Sequence, residues 1–167
     1  MRPPGTSRST TYAARQMMDS TVIASGFPER TDPAALVIGP TGVAFDDHSG
    51  NLFVADSLNN RIAEVPNALF RTAAATDSAQ TIQTISEGHE LNDPLGLVFA
   101  PNGNLIAANG NNGKLVEVDP ETGKQAAKLV DNSGSPPKGA GALFGLFALS
   151  DGVYFVDDAT NTFNLFH

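Results

Sequence analysis

The sequence predicts an all-β fold built from a repeated antiparallel unit, on the basis of three observations. Short apolar runs alternate with Gly, Asn and Asp turn residues, as in residues 39–65. The same pattern returns at residues 94–119 and 143–166. Gly42, Gly96 and Gly145 hold the same place in the three copies. A period of about fifty residues made of four short strands is typical of the blades of a β-propeller.

Each blade is expected to contain up to four strands, named A to D from the innermost outwards. For blade one we predict strands at 42–45, 52–55, 61–65 and 81–85. For blade two we predict strands at 95–100, 105–108, 115–119 and 126–130. For blade three we predict strands at 143–149, 153–156 and 162–166, with no strand D.

Four segments lie outside these strands or precede the first blade. Residues 66–80 are too long for a hairpin loop, so a short helix or an ordered excursion is expected. Residues 21–26 predict a short strand, and residues 27–33 predict a turn-rich loop. Residues 1–20 are rich in Arg and lack the apolar stretch of a signal peptide. We interpret 1–20 as a disordered or loosely docked leader and 21–167 as the propeller region.

Composition excludes several classes of function. The net charge is −8, which disfavours nucleic acid and anionic membranes as partners because both require a basic surface. The chain has no cysteine, so disulfides, thiolate metal sites and cysteine nucleophiles are excluded. With no signal peptide in the chain as given, a cytoplasmic location is expected. A secreted or periplasmic location stays open for a longer parent protein.

The first repeat carries a family resemblance. Residues 40–45 (Pro-Thr-Gly-Val-Ala-Phe), followed by residues 51–62, resemble an NHL repeat of a six-bladed β-propeller. The resemblance covers residues 21–167 and implies a half-propeller of three blades. The wider superfamily includes gluconolactonase-like and paraoxonase-like propellers, many of which are calcium-dependent hydrolases. NHL propellers are more often binding platforms, so the resemblance implies a fold and leaves the function open.

Three blades are too few to close a ring, since propellers use four to eight. A half-ring leaves apolar blade faces and an unpaired edge exposed. Two half-rings related by a two-fold axis would complete six blades, with residues 21–26 of one chain supplying the missing strand of the other. We therefore expect a homodimer.

Candidate metal ligands lie where the D-to-A and B-to-C loops are expected to share one face of the disc. Their side chains offer the hard oxygen atoms that Ca²⁺ prefers. In the resembled hydrolases, Asn and Asp at such positions hold a catalytic calcium. The candidates are Asp56, Asn92, Asp93, Asn109 and Asp157. Asn and Asp at strand ends are also ordinary turn formers, and this alternative stays open.

His89 lies in a loop on the same expected face, next to Glu90. A histidine beside carboxylates is a candidate general base, and a solvated loop residue is the alternative. Two functions therefore follow from the sequence. One is a scaffold that binds a protein, or a small neutral or cationic ligand, at the channel mouth. The other is a Ca²⁺-dependent hydrolase of esters, lactones or phosphotriesters.

Overall fold

The computed structural model describes residues 20–33, 36–79 and 81–167. The predicted leader, 1–20, lies outside these residues except for Ser20. Within them the fold is all-β, as predicted, with single turns of 3-10 helix at Ser57–Asn59 and Ala68–Phe70. No helix in this part of the chain has the length and apolar character needed to cross a membrane.

The strands in chain order are β1 (Ala24–Ser25), β2 (Arg30–Asp32), β3 (Leu36–Ile38), β4 (Pro40–Phe45), β5 (Leu52–Asp56), β6 (Arg61–Val65), β7 (Ala75–Thr76), β8 (Gln83–Glu87), β9 (Pro94–Phe99), β10 (Leu105–Asn109), β11 (Lys114–Val118), β12 (Gln125–Leu129), β13 (Leu143–Leu149), β14 (Gly152–Asp157) and β15 (Thr162–Phe166).

Three antiparallel sheets correspond to the predicted blades. Blade one is β4-β5-β6-β8, blade two is β9-β10-β11-β12 and blade three is β13-β14-β15. The predicted strands are confirmed to within two residues at each end. The largest shifts are of two residues: β4 begins two residues earlier than expected, and β8 begins and ends two residues later. There Thr81 is engaged in a turn, since its backbone N–H donates to the carbonyl of Thr76 at 3.1 Å.

The core lies between successive blades because each strand presents alternate side chains to its two neighbours. On β10, Leu105 and Ala107 face blade one, whereas Ile106 and Ala108 face blade three. Phe53 of blade one meets Phe99 of blade two edge-to-face, with ring centroids 5.4 Å apart. Blade two is therefore covered on both faces.

The innermost strands β4, β9 and β13 approach one another backbone to backbone at glycines. A Cβ atom on Gly42 would lie 2.5 Å from the carbonyl oxygen of Leu95. A Cβ atom on Gly96 would lie 2.2 Å from the carbonyl oxygen of Phe144. No side chain fits in that space. The aligned glycines of the sequence are therefore the points of contact between neighbouring blades.

Residues 24–25, within the segment expected to be exchanged between chains, pair with blade one of their own chain, and the exchange itself stays a prediction. In this chain β1 pairs in parallel with β7, with Ala24 opposite Ala75. Ala24 and Phe27 also pack on a buried cluster of blade one that includes Val54. This apolar contact places β1 on blade one of its own chain.

The segments flanking this contact have mixed outcomes. Residues 66–79 form the predicted ordered excursion, which contains the 3-10 turn Ala68–Phe70 and β7, and the last residue of the predicted segment lies outside the described residues. Residues 27–33 are not simply a loop, because β2 pairs with β3 in an antiparallel hairpin with Arg30 opposite Ile38. This hairpin leads directly into β4.

Replacing Gly96 with Ala is expected to destabilise the fold by about 2 kcal/mol or more, because the new methyl group overlaps a backbone carbonyl that cannot move independently of β13. Urea unfolding followed by circular dichroism measures the change. Gly39→Ala is the control, since a Cβ there would meet its nearest atom at 3.4 Å. Equal losses in the two variants would contradict the backbone contact.

Candidate functional site

A cavity of about 880 Å³ opens where the innermost strands of the three blades begin. The β2–β3 hairpin forms one side, and the loops that enter β9 and β13 form the other. Most of its wall is apolar, formed by Val37, Ile38, Leu95, Leu97, Phe144 and Leu146. Volume and lining are both typical of a small-molecule site.

The polar groups of this cavity are few and come from separate elements. They are Arg30 and Asp32 on the hairpin, Thr41 on β4, Asp93 before β9 and Asn111 after β10. Arg30 and Asp32 form an ion pair with a nitrogen–oxygen distance of 3.5 Å. The Thr41 hydroxyl donates to the Leu95 carbonyl at 2.8 Å and so binds blade one to blade two.

The backbone of Asp93 is held on both sides by the turns after strands β5 and β10. Its N–H donates to Oδ1 of Asn60 at 2.6 Å, and its carbonyl accepts from the N–H of Gly110 at 2.7 Å. The residue has a φ of 56°, a left-handed conformation that Asp and Asn tolerate better than most residues. The loops on this side of the disc therefore fix the position of the Asp93 backbone, from which its side chain extends.

The Asp93 carboxylate itself makes no hydrogen bond or ion pair with the described residues. Burial raises its pKa, and the nearby charge of Asp32 raises it further, while Arg30 opposes the change. A partly desolvated carboxylate at the edge of an apolar cavity is a group to which a ligand can bind.

The expectation that D-to-A and B-to-C loops share one face is confirmed by a continuous set of hydrogen bonds. Asn60 accepts from Asp93, and Asp93 accepts from Gly110. The carbonyl of Gly110 in turn accepts from the N–H of Gly141 at 2.7 Å. These contacts run from blade one to the entrance of blade three.

Two of the predicted calcium ligands, Asn92 and Asn109, are joined by a hydrogen bond, and the side chain of Asn109 also bonds to neighbouring turns. The buried Asn109 accepts the Asn92 N–H on Oδ1 at 3.1 Å. Its amide nitrogen donates to the Glu90 carbonyl at 2.7 Å and to Oδ1 of Asn112 at 3.0 Å. These contacts use both ends of the Asn109 amide to order the loop before β9.

Asp56 and Asp157 occupy the place of Asn109 in blades one and three, at the end of the second strand. Asp157 accepts the Thr160 N–H at 3.1 Å. Buried Asp56 accepts from Asn59 at 2.9 Å and from Arg61 at 2.7 Å, both on Oδ2, while its Oδ1 is buried without a partner among the described residues. Each side chain thus orders the turn that follows its own strand.

Of the five predicted ligands, Asp93 alone lines the cavity. Calcium takes six to eight oxygen atoms, and the five predicted ligands do not come together at the cavity to supply them within one chain. The predicted base His89 is exposed, lies in a turn with a φ of 51° and does not line the cavity. Calcium binding and a catalytic role for His89 stay predictions.

Asp46, Asp47 and His48 are the one grouping of potential metal ligands found within the described residues. The three lie in the turn between the first two strands of blade one. The Nδ1 atom of His48 lies 2.8 Å from Oδ1 of Asp47, and the His48 side chain is 93% exposed. The hydroxyl of Ser49 and the N–H of His48 lower the pKa of Asp46 by hydrogen bonding to it. The turn's own hydrogen bonds account for this grouping.

Sequence reasoning missed the hairpin residues Arg30 and Asp32 and the inward position of Thr41. The one local signal for the hairpin is the apolar run of β3, residues 36–38, which directly precedes the first blade. Nothing local indicates that this hairpin covers the cavity, since that depends on its packing beside β4.

Comparison with solved structures supports the propeller fold. The chain is similar to a calcium-binding protein, regucalcin, from Agrobacterium tumefaciens (16% identity, TM-score 0.52, covering 76% of this chain and 45% of that one). It is also similar to a gluconolactonase from Xanthomonas campestris (15%, 0.51, 86% and 48%). A nidogen–laminin complex contains another similar chain (17%, 0.52, 75% and 41%).

The chain thus spans less than half the length of these structures. No protein-family model and no curated protein matches the sequence. At these identities the similarity shows the fold alone, so the NHL assignment and the homodimer stay predictions.

Asp93→Asn is expected to stabilise the protein at neutral pH. Because the folded state raises the pKa of Asp93, the folded chain holds that proton more tightly than the unfolded chain. Its stability contribution is present below the ordinary aspartate pKa of about 4 and is lost as pH rises through the raised value. The gain from Asn should therefore be seen at neutral pH and disappear in acid, as measured by urea midpoints.

Asp119→Asn is the control with the opposite sign. The hydroxyl and N–H of Thr122 lower the pKa of Asp119 by hydrogen bonding to it, so the ionised carboxylate stabilises the fold above its ordinary pKa. That variant should lose stability at neutral pH. Equal midpoints for wild type and Asp93→Asn at both pH values would contradict the desolvation of Asp93.

Proposed function

We propose that this chain is a β-propeller scaffold that binds a small ligand in the cavity at the channel mouth. The observation that carries the proposal is the partly desolvated carboxylate of Asp93 at the edge of a mainly apolar cavity. The ligand it fits has an apolar body and a cationic or hydrogen-donating end. This chain covers less than half of each similar structure. Any activity that needs a complete propeller is therefore also a proposal.

The charges around Asp93 favour a cation over an anion. Asp32 and Asp93 both line the cavity, whereas Arg30 is the one cationic side chain in its lining and is already paired with Asp32. A bound cation would offset the cost of desolvating Asp93 and lower its pKa toward the ordinary value. The apolar wall would then contribute through burial of the ligand body.

Dye binding tests this proposal with a matched pair of probes. Thioflavin T, a cationic aromatic dye, and Nile red, a neutral one, are titrated into the protein and followed by fluorescence. Asp93→Asn should weaken the cationic dye about tenfold, the effect of losing one charge-assisted contact, and leave the neutral dye unchanged. Asp119→Asn should change neither affinity.

The exposed apolar surface of blade three is an alternative binding place for either dye, and Phe163→Ser tests it. Phe163 is 69% exposed and does not line the cavity. If Phe163→Ser abolishes binding of the cationic dye and Asp93→Asn does not, the cavity is not the binding site and the proposal is wrong.

A Ca²⁺-dependent hydrolase is the second candidate, and the observation that favours it is the same Asp93 carboxylate. The scaffold proposal predicts that the melting temperature is equal in millimolar calcium and in chelator. It also predicts that the two melting temperatures stay equal in Asn92→Ala. The contact of Asn92 with Asn109 is made by its backbone N–H, which alanine keeps.

The hydrolase makes the opposite prediction in the same assay. It requires a calcium-dependent rise in melting temperature that is lost in Asp93→Asn. It also requires aryl ester hydrolysis that falls with chelator and in His89→Ala. Either result would favour the enzyme over the scaffold.

A further inference from the structure

One face of blade three is apolar and uncovered. On the side that packs on blade two, Leu146, Phe155 and Phe166 are at least partly buried. The opposite side exposes large apolar side chains: Phe147 (61%), Leu149 (50%), Val156 (44%), Phe163 (69%) and Leu165 (39%). Tyr154 stacks on Phe163 there, with ring centroids 5.4 Å apart. An apolar face of this extent on a blade indicates a docking surface.

The contacts at the aligned glycines of the innermost strands indicate what kind of structure would pack on that face of blade three. Gly42 meets the carbonyl of Leu95, the residue before Gly96. Gly96 meets the carbonyl of Phe144, the residue before Gly145. A Cβ atom on Gly145 would meet no atom within 4 Å. By the same pattern, its partner is the carbonyl of a residue that precedes the glycine of another innermost strand.

Blade one offers such a carbonyl at Thr41, which is exposed. The ladder of β4 with β5 is irregular between Pro40 and Val43, as the ladder of β13 with β14 is between Leu143 and Leu146. Both irregularities leave the residue before the glycine outside the regular pairing. Thr41 of blade one is thus placed as Phe144 is in blade three.

The inner part of the outward face of blade one is also open. Val43 is 57% exposed and Phe45 is 40% exposed, although both lie on the innermost strand. Farther out, Ala24 and Phe27 cover the same face. An arriving blade would therefore meet an open surface near the axis and an apolar layer beyond it.

We propose that a second copy of this chain covers blade three, with the strand β13 packed against β4 of that copy. Gly145 lies against Thr41 of the second copy, and Phe147 lies beside its Val43. The contact is the third instance of one already seen twice in the chain. Applied twice about a two-fold axis, it closes a ring of six blades.

The similar structures indicate how much of such a fold three blades account for. The part of each that this chain covers is 41–48% of its length. A second copy would provide a second set of three blades. The inference does not depend on strand exchange, since β1 stays on its own blade one.

Light scattering after size exclusion tests the assembly. The wild-type chain should have the mass of two copies. Gly145→Val should have the mass of one with an unchanged circular dichroism spectrum, because a Cβ atom at this position meets nothing within 4 Å in its own chain. Phe147→Ser should also dissociate the dimer. Leu129→Ser, which removes a 48% exposed apolar side chain on β12, should stay dimeric.

Cysteine cross-linking tests the orientation of the two copies, since the chain has no native cysteine. Within the chain, Ala44 shares a core cluster with Leu97, and Val98 packs against the cluster with Leu146. Phe147 and Val43 of the second copy are the next such pair. A mixture of Phe147→Cys and Val43→Cys chains should therefore cross-link with a short bis-maleimide, whereas Leu129→Cys with Val43→Cys should not.

Three outcomes would overturn this inference. They are a wild-type mass of one chain or of more than two, a dimer that persists in Gly145→Val, and cross-linking of Phe147→Cys chains with themselves in place of Val43→Cys. The last result would mean that blade three packs on blade three. Dye binding by the monomeric Phe147→Ser variant keeps the test of the cavity separate from the test of assembly, since Phe147 does not line the cavity.

Discussion

The close approach of the innermost strands is the contact on which the rest of this structure depends. At Gly42 and Gly96 the backbone of one blade lies directly against a carbonyl of the next, at distances that leave no room for a Cβ. This contact sets the spacing of the blades near the axis. The apolar side chains of β10 can then fill both inter-blade spaces at once, because alternate residues point to opposite neighbours.

The same spacing determines which polar residues serve structure and which are left for a ligand. With the blades in register, the turn after one strand reaches the loop before the next, so the amide of Asn109 and the Oδ2 atom of Asp56 are used in local hydrogen bonds. At Asp93 the backbone makes those bonds instead. Its carboxylate therefore remains unpaired within the described chain and lies at the cavity. Burial there raises the pKa of Asp93.

The two outward faces of the half-ring are not equivalent. Blade one carries a cover of Ala24 and Phe27 over its outer part, stabilised by the β1–β7 pairing. Buried Arg61 adds to this by joining Asp56 of β5 to Asp77 just after β7, at 2.7 and 3.0 Å. Blade three has no such cover, and its apolar side chains remain exposed. The two outward faces therefore differ, since that of blade one is partly covered and that of blade three is exposed.

The sequence by itself determined the blades, their strands and the place of the aligned glycines, because period, alternation and turn chemistry are local properties of a chain. It also indicated the face on which the loops meet. Only the tertiary structure decided that β1 stays on blade one, that the β2–β3 hairpin lines the cavity, and that Asp93 alone of five candidate ligands faces it. Those outcomes depend on contacts between distant segments and on the direction of single side chains. Asn and Asp at strand ends look alike in sequence whether they hold a turn or a ligand.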